Sequence, residues 1–172
     1  MVVSPMCMYS SEDGFANDFH LVHLGSRASG GFGLIIQEAT SVSPEGRISY
    51  GDLGLWKGAQ VEKLKQIVDF CHSQDALVGI QLAHAGRKAS HHLPQHGAGK
   101  IAPNQVNGWQ TGSASALPFR EEESVPIALD KKGIQKVKDD YVAATRRASL
   151  AGYDVVEIHA AHGYLFDQFY ST

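Results

Sequence analysis

The sequence predicts an α/β protein of the (β/α)8, TIM-barrel type, represented by about four β/α units and so a partial barrel. Three observations carry this. Strand-length apolar runs alternate with helix-length amphipathic runs along the 172 residues. No G-x-G-x-x-G follows the first strand, which argues against an open doubly wound sheet. The chemically unusual residues, among them Cys7, Glu38, Gln81, His84, His159 and His162, fall at or just after strand ends, where a barrel has its active-site mouth.

Val2 to Tyr9 reads as a short first strand, closed by Ser10, Ser11 and Asp13-Gly14. Phe15 to Ser29 carries Phe19, Val22 and Leu24 among polar residues and stops at Gly30-Gly31, as helices do. Phe32 to Val42 is apolar and strand-length. Ala59 to Ser73 sets Val61, Leu64, Ile67, Val68 and Cys71 at helical spacing. Leu77 to Leu82 is the next buried strand. Asp130 suits the N-cap of a helix with the inward stripe Ile134, Val137, Tyr141, Ala144 and Ala148, ended by Gly152. Tyr153 to Ile158 is the fourth strand. Continuous apolar strands joined by amphipathic helices imply parallel strands covered by helices.

Lys88 to Ala128 breaks the rhythm. It has no period and carries Pro94, Pro103, Pro118 and Pro126 with several glycines. A segment of this length is a lid, a binding loop or disordered. Following the third strand, it is expected over the mouth.

Composition excludes more than it names. Fifteen Lys and Arg against eighteen Asp and Glu give a net charge of −3 with no basic stripe, which makes nucleic acid and anionic membrane poor partners. No apolar run approaches the ~20 residues of a membrane span. The opening Met1-Val2-Val3-Ser4-Pro5 has neither the basic start nor the apolar block of a secretory signal. Two cysteines, Cys7 and Cys71, make no disulfide framework, so a reducing cytoplasm is expected.

The strongest chemical signal is Glu157-Ile158-His159-Ala160-Ala161-His162-Gly163-Tyr164-Leu165. Strand alternation sends residues three apart to opposite faces, so the two histidines converge only if the chain bends after His159. Converging imidazole N–H groups suit a carbonyl or nitro oxygen on which charge builds. A metal-ligand pair and two unrelated surface histidines are the alternatives. Gln81 offers two donors and an acceptor, which fits a flavin pyrimidine edge or, equally, a core glutamine bonded to backbone. Arg87 suits either a cofactor or an ion pair with Glu38. Cys7 alone reads as a small buried hydrophobe, with Tyr9 on its side if the strand persists. Tyr164 is a weak acid or a packed wall residue.

Together these segments resemble the Old Yellow Enzyme family. The match runs through Ser4 to Ser11, Gln37-Glu38-Ala39-Thr40, Asp52 to Trp56, Gly79 to Lys88 and Glu157 to Leu165, in that order over nearly the whole chain. Cys7 and the His159-x-x-His162 pair are similar to the thermophilic-like subclass and its fungal relatives. The resemblance implies residues 1–172 as the N-terminal half of an FMN-binding barrel with a lid-like loop at 88–128. Ser4, Pro5, Met6, Cys7, Ala39 and Gln81 would bind FMN. Tyr9, His159, Ala160, Ala161 and His162 would bind substrate, with His159, His162 and Tyr164 catalytic and no metal. It implies an NADPH dehydrogenase or flavin oxidoreductase that takes hydride from NADPH or NADH and reduces activated C=C bonds of unsaturated carbonyl or nitro compounds. A small-molecule substrate and a possible homo-oligomer complete the expectation. A barrel of this kind typically takes ~250 residues or more. The competing reading is a catalytically incompetent half-barrel that acts by association with another chain. A metal-dependent hydrolase stands far behind both.

Overall fold

The computed structural model describes residues 1–171. In chain order its elements are β1 (Val2–Val3), α1 (Asp18–Ser29), β2 (Leu34–Ser41), α2 (Val61–His72), β3 (Leu77–Ala83), β4 (Gly112–Ser113), β5 (Ile127–Ala128), α3 (Lys131–Ala151), β6 (Val155–Ile158) and α4 (Leu165–Tyr170). The strands β1, β2, β3 and β6 form one sheet in that order, all parallel. Each new strand joins beside its predecessor, without the reversal of order that marks a doubly wound sheet. The architecture is a partial (β/α) barrel.

The core lies between the sheet and the helices. Ile35 on β2 and Val78, Ile80 and Leu82 on β3 alternate toward Leu64, Ile67, Val68 and Cys71 of α2 and Ala144, Ala148 and Ala151 of α3. Gly79 and Gln81 belong to the opposite, barrel-interior face, as period-two alternation requires. One irregularity matters for the site. Gln37 stands opposite Ile80 but Thr40 opposite Leu82, so Glu38 and Ala39 together face the single residue Gln81. Such a bulge bends a strand and re-aims its side chains.

Four expectations change in detail. The first strand is only Val2–Val3, and the chain to Ser10 runs outside the sheet with Tyr9 at a positive φ of 52°. Helix α1 buries His20, Leu24, Gly25 and Ala28, while Phe19 and Val22 face solvent, 43% and 68% exposed. Its true start is Asn17, whose side chain accepts the Phe19 N–H, while the His20 ring accepts the Asn17 N–H. In α3 the stripe begins at Val137, because Ile134 overhangs the core and is exposed. The fourth strand has the expected place, at the edge of the sheet, and Val155, Val156 and Ile158 are exposed there at 40%, 36% and 53%.

The 88–128 excursion is packed. Ala89, Ser90, Leu93, Ile101, Thr111 and Ser113 are buried. Ser90 Oγ donates to Ile101 O at 2.9 Å and accepts the Trp109 N–H at 3.0 Å. Trp109 Nε1 donates to Glu45 O at 2.9 Å, and Arg47 lies over both the Trp56 and Trp109 rings. Among the described residues no helix is long and apolar enough to cross a membrane.

Candidate functional site

The site forms where β2, β3 and β6 end. After β6 the chain turns through His162 and Gly163, with φ of 59° and 71°. Only glycine takes such a φ without strain, and a Cβ at Gly163 would also press on Lys88 Cε at 3.2 Å. Lys88 Nζ donates to His162 O at 2.7 Å, and the Gly163 N–H donates to Asp167 Oδ2 at 2.6 Å, which fixes the turn from both sides.

The bend brings the two imidazoles together. His159 Nε2 and His162 Nδ1 are 3.4 Å apart, and their rings meet edge to face with centroids 5.1 Å apart. His159 Nδ1 accepts the Ala161 N–H at 3.3 Å, which leaves the ring proton of the neutral form on Nε2. Burial, then His162, pushes the His159 pKa down, so the ring is neutral at pH 7. Ala160 and Ala161 are exposed in the turn itself. Among the described residues no group of three or more His, Cys, Asp or Glu is placed to hold a metal.

Tyr164 packs its ring against His159, centroids 4.7 Å apart. Burial, then Cys7 and Asp52, raises its phenol to about 12. Tyr9 reaches Cys7 through its positive-φ turn, so strand alternation is not what pairs them. The Tyr9 hydroxyl and the Ala39 backbone both reach the Cys7 sulfur, and burial raises that thiol to about 12. Cys7, Tyr9, His159, His162 and Tyr164 thus form one cluster. Ser4 and Met6, both exposed, border a shallow hollow with Ile36 and Glu38, and Pro5 is half-buried between them. Ala39 is buried in the bulge.

Gln81 is buried, and its amide N–H donates to Glu157 Oε1 at 2.6 Å across the β3–β6 register. Sequence reasoning assigned Glu157 no role, although it stands two residues before His159. Two further acids stand here: Glu38, expected at the mouth, and Asp52, given no role of its own. Glu38 does not meet Arg87. Its Oε2 accepts the Met8 N–H at 2.8 Å and its Oε1 faces His20 Nε2 at 3.9 Å, with both side chains buried. Burial raises Glu38 to about 7. Asp52, also buried, accepts Ile48 N–H at 2.6 Å and Ser49 Oγ–H at 2.7 Å, and burial raises it to about 6. A polar residue beside a turn is a common pattern, and only the tertiary fold marks Glu38 and Asp52 as buried and gives Glu157, half-buried, its partner Gln81.

Comparison with known proteins agrees with this fold. The profile of the NADH:flavin oxidoreductase / NADH oxidase family matches residues 1–172. The chain is 46% identical over 174 residues to NADH:flavin oxidoreductase FG08077 of Gibberella zeae, covering 99% of this chain and 42% of that protein. It is 50% identical over 173 residues to an NADPH dehydrogenase of Listeria innocua, covering 99% and 46%. Among solved structures, morphinone reductase superposes with a TM-score of 0.82 at 32% identity, over 100% of this chain and 46% of that one. Old Yellow Enzyme from a Pichia species gives 0.85 at 32%, over 99% and 44%. The chain spans less than half the length of these relatives. With its partial barrel, its histidine turn and a match along its whole length, the chain belongs to the NADH:flavin oxidoreductase / NADH oxidase family.

Proposed function

We propose that this chain supplies the flavin-ring and substrate-oxygen half of an FMN-dependent ene-reductase site, and that alone it is a catalytically incompetent half-barrel acting by association with another chain. One observation carries this reading: a gathered polar cluster at the strand ends sits on a sheet whose last strand exposes Val155, Val156 and Ile158. A sheet edge of that kind is a template for pairing.

The donor set fits an isoalloxazine ring. Gln81 brings a primary amide, Ala39 a bulged backbone, and Ser4, Pro5, Met6 and Cys7 a short extended wall. None of these six is a cation, so they fit the ring and leave a phosphate without a partner. Charge-assisted contacts contribute about 1.5–3 kcal/mol each, and lacking two or three weakens binding by roughly two to six orders of magnitude. FMN, when bound, supplies the hydride-carrying ring, recharged by NADPH or NADH. His159 and His162 act as neutral donors to the oxygen of an activated alkene, beside the backbone of Ala160 and Ala161 and the ring of Tyr9. Tyr164 keeps its proton until a strongly basic carbon forms. Cys7 stays a thiol next to the ring and tunes it. Its presence with the His-x-x-His pair groups the chain with the thermophilic-like subclass and its fungal relatives.

The test is to purify the 172-residue chain, measure the visible flavin band per protein, follow NADPH oxidation with an enone, and weigh the particle by light scattering. The expected result is little bound flavin, no enone-dependent oxidation and a mass above one chain. A monomer that holds one FMN and turns over would overturn the proposal.

A further inference from the structure

A second cavity adjoins the histidine turn. It is an open cleft of about 210 Å³ between Tyr9 and Tyr164 on one side and the 88–128 excursion on the other. Its charged lining is of one sign: Lys88 and Arg120, with His91 and His92 beside them. Among the described residues neither Lys88 nor Arg120 has a carboxylate within 4.0 Å. The nearby acids are accounted for. Glu123 faces His91 at 3.7 Å, and Glu121 and Glu122 are exposed outside the lining.

The two cations flank one aromatic ring. Lys88 Nζ lies 4.3 Å and Arg120 Cζ 6.0 Å from the centre of the Phe119 ring, which is 45% exposed. The same Lys88 nitrogen holds His162 O at 2.7 Å. Histidine turn, cation, aromatic face and second cation therefore lie in sequence within the reach of one small molecule. An exposed aromatic face between two cations favours a flat conjugated group that ends in an anion, since the face receives the π-system and the guanidinium grips the carboxylate.

We infer that this cavity is an anion subsite of the substrate pocket, selecting conjugated alkenes that carry a carboxylate. The inference rests on the ene-reductase reading of the neighbouring histidines, and its test separates the two. The probes are 4-hydroxycinnamate and its methyl ester, equal in ring, alkene and phenol and different in charge. Binding to the purified chain is followed by calorimetry or by ligand-observed NMR at low salt. The acid should bind roughly tenfold or more tightly than the ester, the gain expected of one charge-assisted contact. Arg120→Ala, a change at an exposed position, should bring the acid-to-ester ratio to about one. Changing His159 and His162 to Ala should weaken both probes and keep the ratio. If the ratio stands but the histidine changes affect neither probe, the subsite holds and the oxygen clamp fails.

Equal affinities in the unmodified chain, or a ratio unmoved by Arg120→Ala, would overturn the inference, as would failure of both probes to bind. So would displacement by 2′,5′-ADP with no acid preference, which would assign the cations to the phosphate of the hydride donor.

Discussion

Glu38 is the buried group on which the N-terminal wall of the site leans, because its carboxylate holds the Met8 N–H while its other oxygen faces His20. Its raised pKa has a definite sign. Between about 4.5 and about 7 the folded chain keeps a proton that the unfolded chain has lost, so stability falls as pH rises through that window. At about 1.4 kcal/mol per pH unit the loss over that window comes to roughly 3.5 kcal/mol. Glu38→Gln should remove it, so the urea midpoints of variant and parent should converge near pH 5 and separate, variant higher, at pH 7.5. Parallel curves would disprove the assignment. Cys7 makes the companion prediction. A thiol raised to about 12 holds almost no thiolate at pH 8, so iodoacetamide should label it far more slowly than a free cysteine, read by mass spectrometry. Rapid labelling would mean a nucleophile instead of a neutral neighbour of the ring. The residue types at this scale were legible: the histidine pair needed a bend, and Gly163 marked it. The burial of Glu38 and Asp52 and the pairing of half-buried Glu157 with Gln81 were not, since these come from tertiary packing and strand register with no local signature.

Caps and periodicity govern the elements. Helix α3 starts where Asp130 accepts the Gly133 N–H at 2.8 Å and stops where Gly152 adopts a left-handed φ of 92°. Asp130→Ala and Gly152→Ala should each cost about 1 kcal/mol. The two should add in the double variant, because 21 helical residues separate them. Urea midpoints at constant slope are the measurement, and a double variant no worse than either single change would contradict the capping account. Both ends of α3 were readable for the same reason that the caps matter. The face of α1 was not. His20 replaces Phe19 as its buried aromatic side chain because its ring also closes the N-cap, a role hydropathy does not report. The Ser4–Ser10 segment likewise leaves the sheet early, and its extended apolar look concealed the turn at Tyr9.

For the whole molecule the decisive feature is the uncovered strand β6. The alternation that predicted parallel strands covered by helices was sound, and the partial barrel read from the same pattern implies a fourth strand at the open edge, where Val155, Val156 and Ile158 are exposed. Val156→Lys places a charge on that face and should lower the mass seen by light scattering toward one chain. An unchanged assembly would locate the contact elsewhere. The seating of the 88–128 excursion has an optical consequence. The protein has two tryptophans, and the Arg47 guanidinium stands 5.3 Å from the Trp56 ring and 4.9 Å from the Trp109 ring, one on the body and one on the excursion. Intrinsic fluorescence is therefore a gauge of docking. A red-shifted emission that appears while far-ultraviolet dichroism stays constant would record the excursion lifting away from an otherwise intact body, and it would do so without an added label.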